Sequence, residues 1–481
     1  MMGLAFIPVY IRFLGVEAWG LVSFMSLMQA WLVLLDIGLT PTLSREMARF
    51  QAGEHSAQSI RDLLRSLELV YGGVAVVIVL VVWLIAPWVA QKWLNATQLS
   101  TLTISEAIEI IGLVLAARMT EQVYRGAIQG LQRQVWLNGV QSLLATLRWG
   151  GAVGVLAWLD ASVSAFFLWQ GLVSLLSMAV MARQTYHWLP VGERGAQFDL
   201  SAMVRIKRFA GGMAATTVLA LMLTQVDKLL LSKLVSLENF GYYSLAAAVA
   251  GALGFLVAPV TTAVLPHLTE LITRSEQTLL VDIYHRASQW LAAVLIPPAL
   301  VMAVFADALL FAWTGNNDLA QHAAPLLTLL ALGTLCNGFM HVPYMTQLAH
   351  GWTGLAVRVN FVAVCFIVPI VLWAVPRFGA VGAAWSWLAL NAGYVLIGMQ
   401  FMHRRLLRAE KWRWYRDAVI KPLIAGSLVI LVLRQCLVLP QDRLRMTVVL
   451  VAINLLMVVA VMMSVPASRS FFRLKFKEAR G

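Results

Sequence analysis

The sequence predicts an all-α, polytopic membrane protein: about fourteen transmembrane helices arranged as two parallel six-helix lobes, followed by a C-terminal helix pair. Three observations carry that expectation. Of the 481 residues, 60% are hydrophobic and 12% charged, with a mean hydropathy of +0.79, against roughly 45–50% apolar residues in an average soluble domain. Apolar runs of about 20 residues recur from end to end, each long enough to cross a hydrocarbon core of ~30 Å as a helix and unlike the alternating segments of ~10 residues that build a membrane β-barrel. Finally, a stretch near the N-terminus returns 221 residues later in the same register.

In chain order the predicted spans are 3–14, 19–39, 66–90, 104–125, 135–158, 164–187, 209–234, 241–265, 286–312, 325–347, 353–375, 382–402, 418–438 and 446–465. The first is short. MMGLAFIPVYIRFLG supplies only about a dozen residues before a turn, below the ~17 needed to span, so this helix is expected to span in part or to start upstream. With no basic n-region and no small-residue cleavage site, it does not read as a signal peptide. Cys336, Cys365 and Cys436 lie inside apolar runs and read as small buried side chains rather than a disulfide framework.

The net charge of +13 is explained by where the basic residues sit. With loop 40–65 placed inside, the same side collects Arg45, Arg49, Arg61 and Arg65, then Arg125 and Arg133, then Arg183, Arg194, Arg205, Lys207 and Arg208. Arg274, Arg286, Arg358, the run from Arg404 to Lys421 and the terminal RSFFRLKFKEAR follow on that side. Opposite loops hold only Arg12, Lys92, Lys233, Arg377, Arg434, Arg443 and Arg445. Excess Lys and Arg in short loops marks the cytoplasm, so both termini are predicted cytoplasmic. The positive charge is topological, and no nucleic-acid partner is expected. The linker HRRLLRAEKWRWYRDAVIK is expected at the anionic inner leaflet, in contact with membrane lipids, with Trp412, Trp414 and Tyr415 at the interface.

The repeat pairs GVEAWGLVS (15–23) with SLENFGYYS (236–244). Without a gap the offset also superposes Asn95 on Asn316, Gly130 on Gly351 and Arg183 on Arg404. It carries each span to the one six further on, and an even shift preserves orientation. The expected domains are therefore an N-terminal lobe 1–190, a C-terminal lobe 205–402, and a final segment 403–481 holding the basic linker, helices 13 and 14 and a cytoplasmic tail. Parallel repeats of this kind place a transport site between halves. The repeated stretch is read as a tight outer turn between the first two helices of each lobe, with Gly allowing the bend.

YIRFLGVEAWGLVSF, LLDIGLTPTLSREMAR and DKLLLSKLVSLENFGYYSLA resemble the polysaccharide-transporter family that contains the O-antigen flippases, in layout over most of the chain and in detail at these three motifs. The resemblance implies a MATE-like, V-shaped two-lobe transporter of the multidrug and oligosaccharidyl-lipid exporter superfamily. Its implied partner is a lipid-linked oligosaccharide: by alternating access it would move an undecaprenyl-diphosphate-linked sugar from the cytoplasmic to the periplasmic leaflet of the bacterial inner membrane, for O-antigen or surface polysaccharide synthesis. The short first helix departs from the family pattern, and the extra C-terminal pair is similar to that of lipid II flippases.

Arg118, Arg148 and Lys228 fall within spans, where an unpaired charge costs roughly 2.5–3.5 kcal/mol. On span 4, Arg118, Glu121, Gln122 and Arg125 share one helical face, so Arg118 and Glu121 can pair. Span 5 carries the polar stripe Asn138, Gln141, Ser142, Arg148 and Trp149, with no acid of its own to match Arg148. Span 7 aligns Thr217, Thr224 and Lys228, while Asp227 points about 100° away. Such stripes face the protein interior or a wet cavity. Arg148, Lys228 and Arg118 are the candidates for a diphosphate, Arg through planar paired donors and Lys as a point charge; the structural alternative satisfies each base with a neighbouring helix. Asn337, His341 and Tyr344 on span 10, with Gln141 and Trp149, suit the hydroxyls and faces of a glycan, although a single intramembrane His also serves as a helix contact. Glu121, Asp227, Asp36 and Asp307 are the acids available for coupling to protons or sodium, and for Asp36 a link to Arg45 or a helix-end role competes.

No phosphate-binding loop of the G-x-x-x-x-G-K-[ST] type occurs, and no nucleophile, metal-ligand or cofactor constellation stands out, so no catalytic residue, metal or cofactor is expected. Short outer loops, the longest around LNATQLSTLT and GNNDLAQHAA, weigh against a membrane-embedded polysaccharide polymerase or ligase. An ion-coupled multidrug exporter is the nearer alternative, but it would favour an acidic cavity, whereas the unmatched charge here is basic.

Overall fold

The structure is a computed structural model describing residues 2–36, 38–352 and 354–468, the side chains of residue 2 and of residues 201–217 excepted. Thr217, Arg205, Lys207, Arg208 and the terminal basic tail, all named above, lie outside the described side chains. Within this range the chain is helical and divides into two compact units, Met1–Gly241 and Tyr242–Gly481.

The first unit contains α1 (Met2–Asp36), α2 (Leu39–Gln51), α3 (Ala57–Trp88), α4 (Thr101–Gly130), α5 (Gln134–Trp158), α6 (Val163–Trp188), α7 (Leu200–Leu234) and the first turn of α8 (Leu237–Gly251). Its core helix is α4, which packs against α3, α6 and α2. Small residues make that possible, because close backbone approach is how helices associate where lipid offers no hydrophobic drive. A Cβ on Gly130 would lie 2.2 Å from the Ser44 carbonyl oxygen, and one on Gly126 2.8 Å from that of Thr40. The short helix α2 carries the buried Glu46, held by Arg49 at 3.0 Å and His55 at 2.8 Å.

The second unit continues through α9 (Gly254–Thr273), α10 (Gln277–Val304), α11 (Ala306–Thr314), α12 (Asn317–Phe339), α13 (His341–Ala349), α14 (Gly354–Gly393), α15 (Met399–Arg405), α16 (Lys411–Trp414), α17 (Lys421–Cys436) and α18 (Arg443–Ser464). Its core forms on α10, whose Leu291, Leu295, Ile296 and Leu300 are buried. The terminal pair α17 and α18 packs on this helix, with Gly426 seated against Leu300, Ile296 and Val461.

Ten helices among the described residues are long and apolar enough to cross a membrane, and the chain is a multi-pass membrane protein. The expected fourteen spans differ from these ten at four places: two mergers, the charged helix α4, and α7, part of whose side chains lie outside the described residues. Two pairs of predicted spans run together as α1 and α14, each broken at one glycine in the left-handed region: Gly15 (φ 86°) and Gly379 (φ 57°). Only glycine adopts such angles without a steric cost. Helix α4 falls outside the ten because Glu106, Glu109, Arg118, Glu121 and Arg125 crowd it with charge.

The repeated stretch has a second role that the bend reading misses. The turn is made by Gly15, whereas the glycine shared by both copies, Gly20 and Gly241, lies within a helix and gives room to a neighbour. A Cβ on Gly20 would lie 2.3 Å from the Leu237 carbonyl oxygen, and one on Gly241 2.5 Å from that of Val16. Val16 and Leu237 are themselves 221 positions apart, so each contact is the other with the copies exchanged. Beside them, the Glu17 carboxylate accepts from the backbone N–H groups of Thr97, Gln98 (2.7 Å) and Leu99 (3.2 Å), just ahead of α4. The Asn95 carbonyl accepts from the Leu237 N–H at 2.8 Å, and its side-chain amide donates to the Lys233 carbonyl at 2.8 Å.

Candidate functional site

The charged face of α4 forms within the first unit. Arg118 is buried, 8% exposed. Its guanidinium donates from Nη1 to the Gln29 amide oxygen, from Nη2 to that of Gln170 at 3.1 Å and from Nε to the Ser174 hydroxyl at 3.3 Å. The expected Arg118–Glu121 pair is not made: among the described residues no carboxylate lies within ion-pair distance of Arg118. Three acceptors on α1 and α6 match the planar fork of the guanidinium, which an acid one turn along the same helix does not. The neighbouring-helix alternative for Arg118 is therefore what the side chain does, with neutral partners.

Glu121 is buried as well and lies within electrostatic reach of both Arg118 and Arg148. Arg148 on α5 makes no hydrogen bond or ion pair among the described residues, and its Nε is buried without a partner. Arg125 adds a third positive charge felt by Arg148. Its Nε and Nη2 donate at 2.8 and 3.1 Å to Gln141, the amide oxygen of Gln141 facing the guanidinium. The cluster thus has three guanidiniums to one carboxylate. A cavity of about 210 Å³ opens beside Arg118, lined also by Gln29, Asp36, Thr40, Tyr71 and Gln122. There Asp36 accepts from the Thr40 N–H (3.1 Å) and hydroxyl (2.6 Å) at the start of α2 and from the Tyr71 hydroxyl, which is the helix-end role.

Other expected residues fall elsewhere. The Trp149 ring lies against Gly3 and at 6.0 Å from the Tyr10 ring, and its carbonyl accepts from the Tyr10 hydroxyl, so it packs on α1. Lys228 donates to its own helix, to the Thr224 carbonyl at 3.3 Å and to Gln225 at 3.4 Å. Asp227 follows the helix away from it, as the spacing requires.

In the second unit, Asn337, His341 and Tyr344 line one cavity of about 200 Å³ together with Gln347, Asn360 and Tyr394. Met340, between α12 and α13, keeps helical angles, so the i, i+4, i+7 spacing of the three side chains carries across the junction to a common wall. The Asn337 amide donates to Asn391 at 2.8 Å, which donates in turn to the Trp387 carbonyl at 2.8 Å, and the Tyr394 hydroxyl donates to Asn360 at 3.2 Å. His341 makes no hydrogen bond among the described residues and stays available at the cavity wall.

Sequence reasoning missed Gln29, Gln170 and Ser174, the groups that hold Arg118. A signal existed: Gln170 and Ser174 are i, i+4 polar residues on the apolar α6, but nothing in the sequence says which helix they face.

Residues 1–272, more than half of the chain, match the family described as "Polysaccharide biosynthesis protein". The chain belongs to this family. A Shigella flexneri relative described as "Putative O-antigen transporter" is 18% identical over 379 residues, covering 78% of this chain and 87% of that one. Among solved structures, lipid II flippase MurJ in an inward closed conformation superposes with a TM-score of 0.69 over 97% of this chain and 99% of its own, at 11% identity. An inward-facing multidrug resistance MATE family transporter of the MOP superfamily gives 0.64 over 85% and 95%, at 13% identity. At these identities the two likenesses show the fold, and it is the one the sequence motifs implied. The relatives named here are described as transporters or flippases.

Proposed function

We propose that the protein flips an undecaprenyl-diphosphate-linked oligosaccharide from the cytoplasmic to the periplasmic leaflet of the bacterial inner membrane by alternating access, supplying O-antigen or surface polysaccharide synthesis. One observation carries the reading: Arg118, Arg125 and Arg148 gather around one acid within apolar helices, and Arg148 keeps a buried, unpartnered Nε. A buried guanidinium N–H without a partner costs about 1–3 kcal/mol, more on a charged group, one carboxylate does not balance three guanidiniums, and a diphosphate would offset both through charge-assisted hydrogen bonds. Arg148 is the leading diphosphate ligand, with Arg118 as a fixed charge behind it and Lys228 as a second cation. Asn337, His341 and Tyr344 would meet the glycan, and Glu121 is the first candidate for proton or sodium coupling, ahead of Asp36 and Asp227.

Residues 1–190 and 205–402 are read as the two repeats, with 403–481 as linker, helix pair and tail and both termini cytoplasmic; the exchanged contacts of Gly20 and Gly241 support this division. The test is Arg148→Ala in the native bacterium. The variant should insert at normal levels yet leave its lipid-linked oligosaccharide stranded on the cytoplasmic leaflet. Normal surface glycan in that variant sinks the diphosphate assignment, and normal glycan with lost drug tolerance on deletion of the protein favours the drug-exporter reading.

A further inference from the structure

The polar cavity of the second unit does not end at its polar wall. It shares Leu355, Val359, Tyr394 and Gly398 with an adjoining groove of about 560 Å³, within the 300–1,000 Å³ usual for ligand sites. The groove runs between the two arms of α14 on either side of the Gly379 break. Val362, Phe366 and Ile370, spaced i, i+4, i+8, face it from the first arm; Leu390, Ile397 and Phe401 face it from the second arm and its continuation. Three small residues, Ala363, Ala389 and Gly393, stand among the bulky ones in its lining. Arg358, one turn before Val362, is the charged residue in the lining, and among the described residues it has no hydrogen bond or ion pair.

Three chemistries therefore adjoin one another: an unpaired cation, an apolar groove with small residues in its wall, and a cavity of amides, a histidine and phenols. We propose that this is an entry subsite for the lipid-linked substrate, with the groove seating its polyprenyl chain, Arg358 holding a phosphate, and the Asn337–His341–Tyr344 cavity taking the first sugar. The inference rests on the flippase reading and deepens it by adding a site separate from the Arg148 cluster. The choice of a polyprenyl chain over a phospholipid acyl chain follows from the lining. A methyl branch on every isoprene unit needs the room that Ala363, Ala389 and Gly393 leave between the bulky lining residues, and a phospholipid brings no sugar to a cavity walled by amides.

The test uses the full-length protein in phosphatidylcholine nanodiscs, with undecaprenyl phosphate, the same lipid carrying one hexose, undecaprenol and phosphatidylglycerol as probes, and retained lipid read by native mass spectrometry. Gly393→Leu fills the groove at a position where an added Cβ meets nothing within 4 Å; Ala389→Leu does the same from a neighbouring position if the first variant folds poorly. Either should lower retention of undecaprenyl phosphate and of undecaprenol about tenfold. Arg358→Gln should lower undecaprenyl phosphate alone by about tenfold, and His341→Leu should remove the advantage of the hexose-bearing lipid. Retention indifferent to both the groove and Arg358 variants, or phosphatidylglycerol competing equally, overturns the subsite. If Arg148→Ala still abolishes flipping in that case, the flippase reading stands without it, whereas a wild-type protein that retains no polyprenyl phosphate removes both.

Discussion

The exchanged contacts of the two copied glycines give a sharp test of how the first unit is held together. Gly20→Ala puts a methyl carbon 2.3 Å from the Leu237 oxygen, and Gly241→Ala puts one 2.5 Å from that of Val16. Ordinary contact begins near 3.4 Å, so α1 must retreat from α8 by 1.1 Å in the first case and 0.9 Å in the second. The obstacle is backbone on both sides, and no side-chain rotation relieves it. Overpacking of this kind costs typically ~1–3 kcal/mol. Because a single outward shift relieves both contacts, the double variant should cost less than the sum of the singles, by ~0.5 kcal/mol or more. Gly72→Ala and Gly73→Ala, where an added Cβ meets nothing within 4 Å, are the controls, and each should be neutral or stabilising by up to ~1 kcal/mol. Thermal unfolding in detergent, followed by size-exclusion profiles after heating, reads all five proteins. Gly20→Ala melting with the controls, or a strictly additive pair, would refute the argument.

Three further outcomes are expected. Arg118→Met should lower stability by a few kcal/mol, since it orphans the amide oxygens of Gln29 and Gln170, while Arg148→Ala, which removes an uncompensated charge, should melt at or above the wild type and lose only transport; the two melting curves separate a held charge from an offered one. Glu17→Gln replaces one acceptor oxygen by a donor facing the Thr97, Gln98 and Leu99 N–H groups and should cost ~1–3 kcal/mol, read as a lowered melting temperature. Asp62 accepts from the Gln197 N–H at 2.8 Å and from Gln58 at 2.9 Å, and pairs with Arg194 at 3.4 Å. Asp62→Ala should therefore release the segment between α6 and α7, seen as new protease cleavage between Leu189 and Asp199.

The helices were legible because crossing a membrane imposes a length and a polarity that composition cannot hide. The breaks in α1 and α14 fall at gaps between predicted spans, but the residues that make them, Gly15 and Gly379, were not singled out by the pattern. Contacts between helices were not legible. Arg118 and Glu121 sit at pairing distance on a helical wheel, yet the guanidinium turned to Gln29, Gln170 and Ser174, because three matched acceptors from other helices outweigh one acid on its own. The shared glycine of the repeat read as a hinge, since glycine has two uses and the sequence does not say which applies. Asn337, His341 and Tyr344 did come to one cavity, as their common helical face required, whereas Trp149 went to α1 because its ring found Tyr10.

The way Arg118 is held bears on how such a protein could change its cargo. Neutral amides and a hydroxyl fix the guanidinium in place while cancelling none of its field, so geometry and electrical potential are governed by different residues. A change of Gln29 or Gln170 to Glu could neutralise the field in a single codon step while keeping the same acceptor atoms in reach, opening a route from the anionic passenger proposed above towards neutral or cationic ones without rebuilding the scaffold.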